Sequence, residues 1–111
     1  MMPPASDVRL LLVTAPADTA PKIAEAALAA RTVACANLIP GVASRYVWKG
    51  ALESAEETLI VFKTTRERAD AAMAAIRAAH PYDVPEILVV PVESALAAYA
   101  EWVRESVSAS G

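Results

Sequence analysis

The chain has 111 residues, of which 56% are hydrophobic and 21% are charged, so it is one small globular domain and not a disordered chain. Ten Lys and Arg against 13 Asp and Glu give a net charge of −3, and the scattered basic residues exclude an electrostatic nucleic-acid surface. No apolar run approaches the ~18 residues of a membrane span, and a single Cys excludes an intrachain disulfide. We therefore expect a cytoplasmic protein with no nucleic-acid or membrane partner.

The first third of the chain predicts a strand followed by a helix. Residues 1–7 have no basic start and no apolar centre, so we expect a disordered tail and no signal peptide. The nearly continuous apolar run Val8–Thr14 predicts a strand that is covered on both faces. Asp18 and Thr19 are candidate N-caps of a first helix, whose apolar spacing continues to about Arg31.

The middle of the chain predicts strands and a hairpin. The segment 33–39 reads as a strand that is broken at Pro40-Gly41. Residues 44–49 then alternate with the period of a two-faced strand, and Gly50 marks a turn. The apolar segment 58–64 is the clearest strand in the chain.

The last part predicts a helix, a strand and a further helix. Thr64-x-x-Glu67 fits a capping box for the second helix, which Pro81 ends. An apolar strand follows over 87–92, and Ser94 is a candidate cap for a final helix. The stripe of that final helix comprises Leu96, Tyr99, Ala100, Val103 and Val107.

This order of elements predicts an α+β, ferredoxin-like β-α-β-β-α-β fold with an extra C-terminal helix. The single domain spans residues 8–107, and residues 108–111 form a tail. Two helices should cover one face of an antiparallel four-stranded sheet, and the last helix can cover only part of the other face. We therefore expect the chain to associate with further copies of itself through the hairpin and the exposed sheet face.

Two segments hold most of the uncommon residue types, namely 35–50, with the only Cys, and 80–86, with the only His. With these segments the chain resembles the CutA family of divalent-cation-tolerance proteins, from about Leu10 to Arg104. The resemblance rests on Cys35-x-Asn37 with Pro40, Ser44-x-Tyr46-x-Trp48-x-Gly50, Glu57, Lys63-Thr64, His80-Pro-Tyr82-x-x-Pro-Glu86 and Tyr99-x-x-Trp102.

The resemblance implies a ferredoxin-like homotrimer, similar in architecture to PII-type signalling proteins, with a link to copper and other divalent cations. Asp83 stands where the family usually has Glu or Gln, so its carboxylate has a shorter reach.

His80, Cys35 and Glu86 are the candidate metal ligands. Imidazole is a common ligand for copper and zinc, but a His at a helix end also interacts favourably with the carbonyl-rich terminus. The thiolate of Cys35 suits Cu(I), but a lone Cys in an apolar strand is often a small buried hydrophobe. Glu86 is either a carboxylate acceptor at a cleft edge or a solvated strand end. One Cys and one His cannot close a four-ligand site, so a site needs carboxylates or copies of these residues from neighbouring subunits.

Lys63, Glu57, Tyr82, Asp83 and Trp48 are the candidate residues of a ligand-binding cleft. Lys63 interrupts an apolar strand, where it either extends its amine to solvent or binds an anion or carboxylate.

Aromatic residues are the candidate interface. Tyr46 and Trp48 lie on one strand face, where packing between subunits is preferred to a stacking platform for a ligand. Tyr99 and Trp102 fit the core face of the last helix, and Trp102 is also an interface candidate.

Three functions compete at this stage. The first is a non-enzymatic homotrimer that binds Cu(II) or similar ions weakly at subunit clefts, with no tightly bound cofactor. The second is a PII-like trimeric sensor or scaffold whose clefts bind a small anion or a protein partner, so that the metal effect is indirect. An enzyme ranks last, because the single His has no evident nucleophile beside it and three Gly form no phosphate-binding loop.

Overall fold

The computed structural model describes residues 6–108. They form an α+β fold, which confirms the predicted class and element order. The elements in chain order are β1 (Val8–Ala15), α1 (Ala20–Ala29), β2 (Cys35–Trp48), β3 (Ala51–Thr65), α2 (Ala69–Ala79), β4 (Ile87–Pro91) and α3 (Ala97–Ser106).

The four strands form one antiparallel sheet in the order β2-β3-β1-β4. Alternate residues of β1 and β3, including Leu11, Val13, Ile60 and Phe62, are fully buried. They pack with α1 and α2 in one core on one face of the sheet. This face is called the helix side below. Side chains alternate across a strand, so Leu59, Val61 and their neighbours on β1 point to the opposite face.

Alanine forms much of the contact between the two helices and the sheet. Ala24, Ala27 and Ala72 are buried, and Ile23 and Ile76 fill the space beside them. Small side chains let helix backbones approach closely, which a domain of this size needs in order to close its core.

The ends of α1 and α2 differ from the sequence prediction. α1 ends at Ala29, and Arg31 takes a positive φ of 57° beyond it. The capping box at Thr64 is wrong, because β3 continues to Thr65 and α2 begins only at Ala69. Thr64 is buried in the strand and donates its hydroxyl to the carbonyl of Thr32 over 2.6 Å.

The predicted side-chain caps are also absent from α1 and α3. Thr19 occupies the N-cap position of α1 but makes no capping hydrogen bond, since its hydroxyl donates to the carbonyl of Pro16. α3 begins at Ala97 with Leu96 at the N-cap, so the predicted cap at Ser94 is wrong.

β2 and β3 are much longer than the sequence indicated. The pairing of β1 with β3 ends at Ala15 and Thr58, but β2 and β3 remain paired from Val42–Glu57 to Trp48–Ala51. Residues 42–57 therefore form a two-stranded hairpin beyond β1, which we call the arm. Lys49 and Gly50 have φ values of 52° and 80°, as a two-residue type I′ turn requires.

The predicted strand break at Pro40-Gly41 is a β-bulge instead. The register shifts between Ile39, which faces Leu59, and Val42, which faces Glu57. Gly41 has a φ of 76°, a conformation that glycine adopts without strain. The bulge lies on an edge strand, where a proline is tolerated.

α3 contacts β3 and buries Ala100, Val103 and Val107. Tyr99 and Trp102 do not lie in the core of this chain, contrary to the prediction, because their side chains are 39% and 46% exposed. Their rings contact each other with centroids 5.6 Å apart. α3 leaves part of the sheet uncovered, since Ile39 and Leu88 remain exposed.

The predicted terminal tails fall partly within the described chain. Residues 1–5 and 109–111 lie outside it. Ser6 donates its backbone N–H to the carbonyl of Glu93, and Asp7 forms an ion pair with Arg104 at 2.8 Å.

Candidate functional site

His80 lies directly after α2 and is buried, with 8% of its surface exposed. Its Nε2 lies 2.8 Å from the carbonyl oxygen of Thr14 at the end of β1, and its Nδ1 lies 3.1 Å from the backbone nitrogen of Tyr82. A carbonyl can only accept and an N–H can only donate, so Nε2 carries the hydrogen and Nδ1 accepts. Both ring nitrogens are therefore engaged in holding the loop after α2 against β1.

Tyr82 and Glu57 meet beside His80. The phenol of Tyr82 donates to Oε2 of Glu57 over 2.9 Å, and its ring centroid lies 4.7 Å from that of His80. Glu57 is buried on β3 at the base of the arm, just beyond the last residue that β1 covers. The structure thus brings together Glu57 and Tyr82, two of the residues assigned to a ligand-binding cleft from the sequence.

The surroundings of Tyr82 oppose ionisation of its phenol. Partial burial is the largest cause, followed by the hydrogen bond to Glu57 and the negative charge of that carboxylate, and they raise the pKa of Tyr82 to about 12. The phenol therefore stays protonated at neutral pH and acts as a donor.

Cys35 and Lys63 form a separate group towards the opposite end of the sheet. They are direct partners in the β2–β3 register, and Lys63 Nζ lies 3.9 Å from Cys35 Sγ. Both side chains are partly buried, and Leu10 faces Lys63 from β1. Burial and the neighbouring Cys35 raise the pKa of Tyr99, which places α3 near this group.

The two groups lie too far apart to share one ligand within a chain. Lys63 lies six positions after Glu57 on β3, which corresponds to about 20 Å along an extended strand. The structure thus brings together His80, Tyr82 and Glu57 but leaves Cys35 away from them.

The predicted metal ligands do not assemble into a metal site in the single chain. Across residues 6–108, no three His, Cys, Asp or Glu side chains are close enough to hold one ion. Asp83 and Glu86 are exposed in the loop before β4 and accept no ion pair from the described residues. Binding through His80 would require one of its hydrogen bonds to break. The donor set of one chain therefore does not fit a bound metal.

The predicted aromatic interface lies on the arm and on α3. Tyr46 and Trp48 share a face with Glu57, because residues that pair directly across two strands project to the same side. Trp48 and Trp102 are about half exposed, while Val47 and Leu52 at the tip of the arm are 68% and 82% exposed. The described chain therefore leaves apolar side chains exposed on both faces of the arm and on α3.

One contact of the site carries no signal in the sequence. The partner of His80 on β1 is the backbone carbonyl of Thr14, a group that every residue type possesses. Two surface hollows of about 380 and 330 Å³ lie elsewhere, one on the arm beside Arg45 and one between Arg68 and Arg104, and none of the predicted metal ligands lines them.

The comparisons with known proteins agree on one family. The family described as CutA1 divalent ion tolerance protein matches residues 9–106. A human relative, Protein CutA, is 41% identical over 93% of this chain, which spans 60% of that protein. The divalent-cation tolerance protein CutA of Pectobacterium atrosepticum is 36% identical over 93% of this chain and 94% of its own length. The crystal structure of CutA from Xylella fastidiosa superposes with a TM-score of 0.90 at 33% identity, over 93% of this chain and all of that one.

Fold and site define a small α+β domain whose chemically distinctive residues are divided between two ends of one sheet. The chain belongs to the CutA1 family of divalent ion tolerance proteins, so the resemblance noted in its sequence is confirmed. The names of the family and of the Pectobacterium relative refer to tolerance of divalent cations and not to a catalysed reaction. No helix within residues 6–108 is long and apolar enough to cross a membrane.

Proposed function

We propose that this chain is a non-enzymatic cytoplasmic protein, a homotrimer of ferredoxin-like subunits that binds copper or other divalent cations weakly at the clefts between subunits. Membership of a family of divalent ion tolerance proteins supports the link to cations. The element order and the strand order β2-β3-β1-β4 support the ferredoxin-like subunit.

The arm is the observation that carries this proposal. Within residues 6–108 it is a hairpin of two strands with no third strand beside it, and such a hairpin is marginally stable in water on its own. Its tip exposes Trp48 on the face of Glu57 and Val47 with Leu52 on the reverse face, and exposed apolar surface of this kind marks a contact with another protein. Packing against neighbouring subunits would stabilise the arm and cover this surface.

A cation site between subunits is consistent with the separation of the donors. Cys35 is soft and suits Cu(I), whereas the carboxylates of Asp83 and Glu86 suit harder divalent ions. Each subunit would supply only one or two of these groups to a cleft, so the affinity would be modest. Under this proposal His80 positions the loop that carries Tyr82, Asp83 and Glu86, rather than binding the ion itself.

The test is a calorimetric titration with Cu(II), with the mass of the protein in solution measured on the same sample. We expect a trimer with saturable binding at one or three ions per trimer. Glu86→Gln should weaken this binding, and Glu93→Gln, which changes another exposed carboxylate near β4, should leave it unchanged. A trimer without saturable binding would overturn the cation part of the proposal.

Thermal unfolding tests the assembly part. Since a trimer must dissociate when it unfolds, dilution should lower its melting temperature. A monomer mass together with a concentration-independent melting temperature would contradict the assembly.

A PII-like sensor or scaffold is the second candidate, with an indirect effect on metal tolerance. Two observations favour it: both ring nitrogens of His80 are engaged, and Lys63 has no carboxylate partner within residues 6–108. Lys63 could then bind a small anion in a cleft. Inorganic phosphate is a suitable probe, because its saturable binding to a trimer, lost in a Lys63→Met protein kept trimeric by a high protein concentration, would favour this candidate over direct cation binding.

A further inference from the structure

Glu57 is a buried carboxylate without a cation. Its single hydrogen-bond partner among the described residues is the neutral phenol of Tyr82. The ion pairs formed within residues 6–108 both belong to Arg104, which binds Asp7 and Glu101. A buried charge is strongly destabilising unless it is paired. We therefore expect Glu57 to pair with a positive group from outside residues 6–108.

Lys63 is a positively charged residue with no carboxylate partner among the described residues. Its ammonium group is partly buried between β1 and β2, where Leu10 and Cys35 are its direct neighbours. The single contact found for Nζ in the described chain is the sulfur of Cys35 at 3.9 Å, which is a weak acceptor. Among residues 6–108, Lys63 therefore has no carboxylate partner and Glu57 has no cationic partner.

The two charges lie on one face of one strand. Residues 57, 59, 61 and 63 of β3 alternate with the buried Ile60 and Phe62, so they all project away from the helix side. About 20 Å of strand separates Glu57 from Lys63, which exceeds the combined reach of their side chains. They cannot pair within one chain.

The surface between the two charges is apolar. Leu59 and Val61 lie between them on β3, and Leu12 faces Val61 from β1. A surface with an apolar centre, a negative end and a positive end is complementary to a second copy of itself. Packing of two such surfaces removes apolar area from water and can bring opposite charges together.

We propose that Lys63 of one subunit forms a buried ion pair with Glu57 of the next subunit. This inference rests on the proposed homotrimer and assigns it one specific contact. In the homotrimer the contact is heterologous, because Lys63 of each subunit meets Glu57 of the next around the ring while its own Glu57 meets Lys63 of the third, and such contacts close when the rotation between subunits is one third of a turn. Three identical ion pairs then hold the ring, and each Glu57 receives both the Tyr82 phenol and a partner ammonium.

The test is a double-mutant cycle on assembly. Lys63→Met and Glu57→Gln remove one charge each, and we expect each to weaken association at least about 30-fold per interface, because each leaves the other charge buried and unpaired. The double variant should lose much less than the sum of the two single losses. Lys22→Met and Glu25→Gln are matched controls on the exposed side of α1, away from the arm and the open sheet face, and should leave association unchanged.

Charge reversal gives a second and sharper readout. Lys63→Glu and Glu57→Lys should each produce monomers, and both changes in one chain should restore the trimer. Circular dichroism of each variant separates loss of assembly from loss of folding. If Glu57 variants do not fold, the Lys63 variants still decide the question.

The outcomes distinguish this inference from the proposed function. A Lys63→Met protein that associates as tightly as the unchanged trimer would overturn the ion pair and leave the trimer intact. A monomeric unchanged protein would overturn the homotrimer, and the ion pair with it.

Discussion

The phenol of Tyr82 binds the carboxylate of Glu57 over 2.9 Å and so joins the loop after α2 to the base of the arm. The same loop is held on its other side by His80, which bonds to the carbonyl of Thr14 on β1. Three elements that are distant in sequence therefore meet through two side chains. The position of the arm relative to the sheet depends on this junction.

Removal of the Tyr82 hydroxyl should weaken the junction. In Tyr82→Phe the buried Glu57 carboxylate loses its donor, and we expect the free energy of unfolding to fall by about 1 kcal/mol, since the ring itself is partly exposed. Urea unfolding at fixed protein concentration measures this change. Tyr99→Phe is the control, because the hydroxyl of Tyr99 makes no hydrogen bond to the described residues, and an equal loss in both variants would contradict the assigned role.

In a titration of the tyrosines, one phenol should ionise at a higher pH than an ordinary tyrosine. Burial and Glu57 raise the pKa of Tyr82 to about 12, whereas an unfolded chain ionises this group near its ordinary value of 10.0. Between these two pH values the folded state keeps a proton that the unfolded state has lost. The contribution of this group to stability is therefore complete below pH 10 and disappears as the pH rises towards 12.

Phenolate absorbance measures this titration directly. The chain has three tyrosines, and Tyr82→Phe should remove the step with the highest pKa. If the highest step survives in that variant, the assignment to Tyr82 is wrong.

His80 should be fixed as the tautomer with hydrogen on Nε2. The Thr14 carbonyl requires a donor and the Tyr82 N–H requires an acceptor, so the two ring nitrogens have different and fixed roles. Nitrogen NMR of the imidazole distinguishes protonated from unprotonated ring nitrogens, and the chain has a single His, so its signals need no assignment by mutation. A spectrum of the opposite tautomer, or of an exchanging mixture, would show that these hydrogen bonds do not persist in solution.

The alanine contact between the helices and the sheet should tolerate no extra volume. Ala72 is fully buried on α2, so Ala72→Leu should lower the free energy of unfolding by about 1–3 kcal/mol through overpacking. Ala74→Leu adds the same atoms on the exposed side of the same helix and should change stability little. Chemical unfolding of the two variants compares them directly, and similar stabilities would contradict the close packing at Ala72.

The core strands of this fold could be predicted from the sequence, because each of them is itself a recognisable apolar run. The apolar runs at Val8–Thr14 and Thr58–Thr64 identify β1 and the inner half of β3 without any knowledge of their partners. The outer half of β3, residues 51–57, has no such run, because glutamates lie on both of its faces. Pairing with β2 forms that part of the strand, and pairing is a property of two segments that neither reveals alone.

The candidate site was predictable to a lesser degree. Glu57 and Tyr82 could be grouped through the family resemblance, but they are 25 positions apart in the sequence, which does not indicate which of their atoms meet. Cys35 and His80 were both candidate metal ligands, yet the first lies on a strand beside Lys63 and the second is engaged by backbone groups. Backbone partners leave no trace in side-chain patterns, so the sequence could not indicate the structural role of His80.

Because of the bulge between Ile39 and Val42, the number of residues in this segment decides on which face of the arm its side chains lie. One additional residue on β2 sets Tyr46 and Trp48 on the face of Glu57, away from the helix side. A relative that lacked one residue at this position would have the same aromatic motif, but its aromatic side chains would lie on the opposite face of the arm. To decide whether two family members share a binding surface, one must compare the number of residues between the motifs as well as the residues of the motifs themselves.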